Sequence, residues 1–267
     1  MKRAAVLGKP IKHSRSPDVH LAGYAAAGLT DWRYDRVECD ESHLADFVAG
    51  LGPEWAGLSL TMPLKEVALE VAEAVDPFAA ALGAANTLVR RDQGFHAYNT
   101  DAPGMVRALT AAGVGVGTIA DIALLGGGGT ARAAIGAATG LGAPVTVYTR
   151  RPEAVDELRP VAEALSVRLR AAPWSEVRDA TRAGVVISTV PKGAADILAG
   201  ADWPSTSVVF DVIYDPWPTP LASAVQRAGG TVVSGLDLLL WQAVQQFELF
   251  TGVTAPVEAM RRALPVA

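Results

Sequence analysis

Short apolar runs alternate with longer amphipathic ones along the chain, the pattern of strands joined by crossover helices. In the first hundred residues the runs Ala4–Leu7, Arg33–Val37, Gly57–Leu60, Thr87–Val89 and Phe95–Tyr98 predict strands. Helices are expected near 17–27, 41–50, 63–74 and 102–112. A glycine-punctuated stretch, AAGVGVGTIAD (111–121), then breaks the rhythm and marks a hinge. A second βα series follows, with strands at Ile122–Leu125, Val145–Tyr148, Gly184–Ser188, Val208–Val212 and Thr231–Val233, read as one doubly wound sheet. After Gly235 comes LDLLLWQAVQQFELF, apolar on nearly every face, with no strand left for it to serve. Packing back on the first half would bury it. The fold class expected is α/β in two domains.

Composition narrows the classes. With 50% apolar residues, 19% charged and a mean hydropathy of +0.24, the chain has ample material for two cores, which excludes disorder. The formal charge of −5 and the absence of a long basic run argue against a nucleic-acid partner. Cys39 is the only cysteine, so no internal disulfide or Cys-rich zinc site is expected and a reducing cytoplasm fits. The opening MKRAAVLGKP has a basic flavour, but its apolar run ends at Leu7, too short for export. No stretch reaches the roughly 18 to 20 apolar residues of a membrane span. His13, His20, His43 and His96 have no i, i+4 partner, so no metal is expected.

The segment IALLGGGGTARAA (122–134) reads as buried strand, glycine turn and helix, with Gly126, Gly128 and Ala131 in the G-x-G-x-x-(G/A) frame. Glycines let a pyrophosphate come close to amides at a helix N-terminus, where the dipole favours negative charge. Gly127, Gly129 and Thr130 complete the expected dinucleotide-binding turn. About 20 residues on, an NAD site has an acid for the ribose 2′-hydroxyl. Here Thr149, Arg150 and Arg151 stand in that place, and the first acid, Glu153, follows Pro152. Two guanidiniums suit a 2′-phosphate, so NADP is expected rather than NAD.

The first half offers polar residues near predicted strand edges, where α/β sheets gather ligands. In GKPIKHSRSP, Ser14 and Ser16 lie two apart in a segment read as extended, which would turn both hydroxyls the same way; Ser16 as a helix cap is the alternative. LSLTMPLKE carries Thr61 and Lys65, ALGAANTLV carries Asn86, and AYNTDAPG carries Asp101, which could equally be a plain N-cap.

Taken in order, GKPIKHSRSPDVH, GLSLTMPLK, LGAANTLV, YNTDAPG, LLGGGGTARA, DVIYDPWPTPL and GLDLLLWQA resemble the successive signature blocks of the shikimate dehydrogenase family, from Gly8 to Ala243. The resemblance implies a substrate-binding domain of residues 1–101 and 237–267 with an NADP-binding Rossmann domain, 102–236, inserted between them. It implies reversible reduction of 3-dehydroshikimate to shikimate, on the route to aromatic amino acids, in a monomer or homodimer. Lys65 and Asp101 would be the catalytic pair. Ser14 and Ser16 would hold the substrate carboxylate, Tyr214 its carboxylate end, and Thr61, Asn86, Asp101 and Gln242 the ring hydroxyls. Gln242 shares its helix with Gln245, Gln246 and Glu248, and only the resemblance singles it out. Ser188, Thr189, Ile213 and Gly235 lie after the last strands, where the nicotinamide half of the cofactor would rest.

The chain departs from the family pattern at Leu21, Ser59, Thr149 and Leu238, where the family usually has Asn, Asn, Asn and Met, and in ISTVPKG (187–193). Two other readings stay open. One is a quinate/shikimate dehydrogenase with relaxed substrate or cofactor use, since one hydroxyl can change preference greatly. The other is a non-catalytic regulator that senses NADP or the substrate, against which stands the retention of both Lys65 and Asp101.

Overall fold

The computed structural model describes residues 1–265. It divides into two compact units, one of residues 1–101 and 239–265, the other Ala102–Leu238. The glycine-punctuated stretch 111–121 thus lies wholly inside the second unit. Among the described residues no helix is long and apolar enough to cross a membrane.

The first unit holds six strands: β1 (Lys2–Gly8), β2 (Trp32–Glu38), β3 (Trp55–Leu60), β4 (Ala74–Val75), β5 (Thr87–Arg91) and β6 (Gly94–Tyr98). Their order is β2-β1-β3-β5-β6-β4. β1 pairs in parallel with β2 and β3, but β5 runs antiparallel to both β3 and β6, so the sheet is mixed where alternating βα units predicted a parallel one. For β5 and β6 the reason is local. Only Asp92 and Gln93 separate β5 from β6, and two residues can close a hairpin but never a crossover.

Alternate residues of β1 build the two cores. Ala4 and Val6 face a cluster with Val19, Tyr34 and, from the helix Gly235–Thr251, Leu240, Val244, Phe247 and Phe250. Ala5 and Leu7 face a second cluster with Leu44, Leu58, Leu60 and Leu64. Sandwiching between two apolar layers explains why β1 reads as an unbroken apolar run.

The helix expected over 63–74 shrinks to Ala68–Val71, preceded by tight turns. A continuous helix needs the Lys65 carbonyl to accept from the amide of Leu69. Instead that amide donates to Glu66, and the Lys65 carbonyl accepts from the Ala85 amide at 2.7 Å. Downstream, Pro77–Leu82 forms a helix the periodicity had not marked, with Asp76 accepting from the amides of Phe78 and Ala79, and Gly83 closing it at φ 63°.

The second unit is a six-stranded, all-parallel sheet of β7 (Ile122–Leu125), β8 (Val145–Thr149), β9 (Leu169–Pro173), β10 (Val185–Ser188), β11 (Val208–Asp211) and β12 (Thr231–Ser234). Its order, β12-β11-β10-β7-β8-β9, reverses direction at β7, the doubly wound arrangement the sequence predicted. β9 went unpredicted because it is an edge strand whose residues are exposed or half-buried, leaving no apolar run to detect.

Candidate active site

In the first unit the Lys65 ammonium reaches the Asp101 carboxylate at 2.6 Å, and both side chains are largely shielded from water. Each is held by its backbone. Lys65 sits on the turn that the Ala85 amide ties down, while Asp101 opens the helix Asp101–Ala111, its amide donating to the Asn99 side chain at 3.1 Å. Asn99 in turn donates to the Ala84 carbonyl at 2.9 Å. Asp101 is therefore more than a helix start, since both its oxygens are engaged by side chains from elsewhere in the unit.

Asn86, just before β5 and buried, joins the pair to its surroundings. Its amide nitrogen donates to Asp101 Oδ1 at 2.9 Å, to Thr100 Oγ1 at 3.0 Å and to Gln242 Oε1 at 3.3 Å. Its oxygen accepts from the Thr100 amide and from the Thr87 hydroxyl. Lys65, Asn86, Asp101 and Gln242 thus converge from distant parts of the chain. On the long C-terminal helix both Gln242 and Gln246 point inward, while Gln245 is half-buried and Glu248 accepts from the Ala255 amide.

Ser14 and Ser16 lie with hydroxyls 3.3 Å apart, but not on extended chain. The Ser14 amide donates back to Ile11, closing a turn, and Ser16 is already the first residue of the helix Ser16–Ala26. Pro10 and Pro17 therefore bracket a turn instead of a strand. The Arg36 guanidinium holds this turn by donating to the Ser14 carbonyl at 2.8 Å. Thr61 is half-buried just past β3, with its amide on the Leu7 carbonyl, and none of the described hydrogen bonds joins it to Lys65.

In the second unit a groove of about 720 Å³ is lined by Gly126, Gly127, Gly128, Thr149, Arg150, Arg151, Trp174, Thr189 and residues 190–194. Gly126 has φ of 100°, and a Cβ there would press on Thr189 Oγ1 and Val190. A Cβ on Gly128 would meet no protein atom and would project into open space. The helix Gly129–Leu141 starts immediately behind, its free amides and dipole suited to an anion. These features fit the pyrophosphate of a dinucleotide.

Thr149 spends its hydroxyl on the turn, accepting from the Arg151 amide at 3.1 Å, so it braces the arginine pair. Arg150 lies over the Trp174 ring with 5.2 Å to the centroid. Ile213 lines a cavity of about 200 Å³ with Asp211 and Thr219 that adjoins the groove through residues 191–193, and Ser188 is fully buried. Gly129, Thr130, Ser188 and Gly235 are not part of the groove wall. Gly235 abuts the Val212 carbonyl and the half-buried Tyr214.

Residues 6–88 match the shikimate dehydrogenase substrate binding domain, residues 235–264 the shikimate 5′-dehydrogenase C-terminal domain, and residues 92–212 the alanine dehydrogenase/PNT C-terminal domain. A shikimate dehydrogenase (NADP(+)) of Methanothrix thermoacetophila is 37% identical over 273 residues, covering 100% of this chain and 98% of that protein. The chain belongs to the shikimate dehydrogenase family. Its fold agrees with that of solved family members. The Mycobacterium tuberculosis shikimate dehydrogenase superposes with a TM-score of 0.90 at 45% identity, covering 98% of each chain. A shikimate 5-dehydrogenase of Thermus thermophilus, solved in complex with NADP(H) and shikimate, gives 0.85 at 30% identity, again over 98% of each.

The sequence gives no role to Trp174, Lys192, Ser59 or Gln246, marking Ser59 only as a departure from the family pattern and Gln246 only as a neighbour of Gln242 on its helix. Trp174 follows the unpredicted edge strand, so nothing placed it beside Arg150. Lys192 lines the groove from ISTVPKG, a segment noted only as a departure. Ser59 and Gln246 were visible as polar residues within apolar runs, a signal that by itself names no role.

Proposed function

We propose that the chain catalyses the reversible NADP-dependent reduction of 3-dehydroshikimate to shikimate, with Lys65 and Asp101 handling the proton. The observation that carries this reading is the 2.6 Å contact of the Lys65 ammonium with the Asp101 carboxylate, cross-tied by Asn86. An ammonium has three donors. One held by Asp101 leaves two for a substrate oxygen. In ketone reduction Lys65 gives its proton to the oxygen on which negative charge develops, and Asp101 orients it; in alcohol oxidation the amine takes the hydroxyl proton back. The bound cofactor supplies or accepts the hydride.

Ser14 and Ser16 hold the substrate carboxylate, with Tyr214 at the same end, and Thr61, Asn86, Asp101 and Gln242 select the ring hydroxyls. The glycine turn Gly126–Gly129 with Thr130 takes the pyrophosphate. Arg150 and Arg151, braced by Thr149, take the 2′-phosphate, and Ser188, Thr189, Ile213 and Gly235 serve the nicotinamide end. In this reading residues 1–101 and 237–267 form the substrate-binding domain and 102–236 the NADP-binding domain. Cys39, buried and free, suits the reducing cytoplasm.

Steady-state oxidation of shikimate and of quinate, each with NADP and with NAD, tests the assignment, with Lys65→Ala as control. The expected outcome is highest kcat/KM for shikimate with NADP. Preference for quinate would move the chain to the quinate/shikimate class, and tight NADPH binding without turnover would make it a sensor.

A further inference from the structure

We propose that Gln246 is a positioning residue for this reaction, the central link of a one-directional chain of buried hydrogen bonds running from the Tyr34 hydroxyl to the Asp101 carboxylate. The inference rests on the assignment of Lys65 and Asp101 to the proton step. The links are short and consecutive. Tyr34 donates to Ser59 Oγ at 2.6 Å, and Ser59 donates to Gln246 Oε1 at 2.7 Å. Gln246 Nε2 donates to Thr87 Oγ1 at 2.9 Å, and Thr87 donates to Asn86 Oδ1 at 2.9 Å. Asn86 Nδ2 then donates to Asp101 Oδ1 at 2.9 Å, while the other carboxylate oxygen receives Lys65.

Two backbone groups dictate the direction. The Asn86 carbonyl can only accept, and it lies 3.2 Å from one end of the Gln246 amide, so that end is the NH₂. The other end is therefore oxygen and must take the Ser59 proton, which leaves Ser59 to accept from Tyr34. The Thr100 amide can only donate, and it lies 2.8 Å from one end of the Asn86 side chain, so that end is oxygen and the NH₂ faces Asp101. The Ser59 proton is thereby committed, and Thr87, accepting from Gln246, has Asn86 Oδ1 at 2.9 Å as its shortest acceptor, with Thr100 Oγ1 farther at 3.3 Å. Burial pushes the Tyr34 phenol well above its ordinary range, so it keeps its proton and stays a donor.

All six side chains are buried. Hydrogen bonds aligned in one sense polarise each other in such a low-dielectric setting, and the sum falls on the carboxylate. The consequence is an Asp101 carboxylate fixed in place, with one oxygen held by Asn86 and the other left for Lys65. Gln246 touches neither reacting atom, and it acts through Thr87 and Asn86.

Kinetics of shikimate oxidation with NADP for Gln246→Leu, Tyr34→Phe, Ser59→Ala and the Gln246→Leu/Ser59→Ala pair test this, with circular dichroism and thermal melts on each. Cutting the chain at its centre is expected to lower kcat roughly tenfold, and removing the far hydroxyl a few-fold, with KM for NADP unchanged. Adding Ser59→Ala to Gln246→Leu should cost nothing more, because the link is already broken. If Gln246→Leu does not fold, the pair Tyr34→Phe and Ser59→Ala carries the same non-additivity test with the loss of a single oxygen each. An active parent whose folded Gln246→Leu keeps its kcat overturns this inference alone, as does strict additivity of the paired losses. A parent that fails to oxidise shikimate sinks both this and the activity it rests on.

Discussion

Lys65 and Asp101 show how far a single contact determines chemistry. In the proposed mechanism, replacing either by alanine removes the proton donor or the group that orients it, and turnover should fall by about 10² or more. Stopped-flow or steady-state rates with matched circular dichroism check this, and near-parental turnover in a folded Lys65→Ala would remove the lysine from the mechanism. Arg150 makes a second residue-scale case. Its guanidinium lies across Trp174 at the groove wall. Arg150→Ala should weaken NADPH about tenfold more than NADH, because only the former has a 2′-phosphate to grip with charge-assisted bonds. Fluorescence titration with the two cofactors decides it; equal losses contradict the assignment.

Among elements, the contest between local propensity and long-range pairing is clearest at 63–74. The residues there suit a helix, yet the Ala85 amide captures the Lys65 carbonyl and the helix is confined to Ala68–Val71. The lysine is held on a rigid turn as a result. The short helix Pro77–Leu82 shows the opposite balance, for its start is entirely local, with Asp76 capping two amides and Pro77 supplying a preset φ. Asp76→Ala should destabilise the protein by about 1 kcal/mol, read as a lower denaturation midpoint in urea with an unchanged m-value. A stability equal to the parent's would show the cap to be redundant.

At the scale of the molecule, burying His20 ties stability to pH. The ring is completely enclosed, stacked on Tyr34 with 4.2 Å between centroids, and burial pushes its pKa down to about 3 from an ordinary 6.5, against a smaller upward pull from Gln246. The folded state therefore binds fewer protons than the unfolded chain between those values. Stability is full above the unfolded pKa and is lost as pH falls toward 3, by at most about 1.4 kcal/mol per unit. His20→Phe, which keeps a flat apolar ring, should flatten that part of the profile, and parallel acid slopes for the two proteins would rule the histidine out as its source.

Much of this architecture was legible in the amino-acid order. The principal strands announce themselves as apolar runs because each is buried on at least one face, and the glycine turn with its following arginines is a local motif whose chemistry needs no distant partner. The locally capped helix Pro77–Leu82 apart, what escaped detection depends on surroundings that adjacent residues do not reveal. β9 is an edge without an apolar side, the antiparallel pairing of β5 with β3 depends on which neighbour a strand finds, and the truncated helix depends on a carbonyl taken by another segment. Among the four polar residues Gln242, Gln245, Gln246 and Glu248, nothing local told inward from outward. Periodicity, turn chemistry and residue type act over a few positions and so set the elements and the kinds of group available. The convergence of Lys65, Asn86, Asp101, Gln242 and Gln246, and the direction in which their hydrogen bonds run, came only from folding, because donors and acceptors are matched through space among segments far apart along the chain.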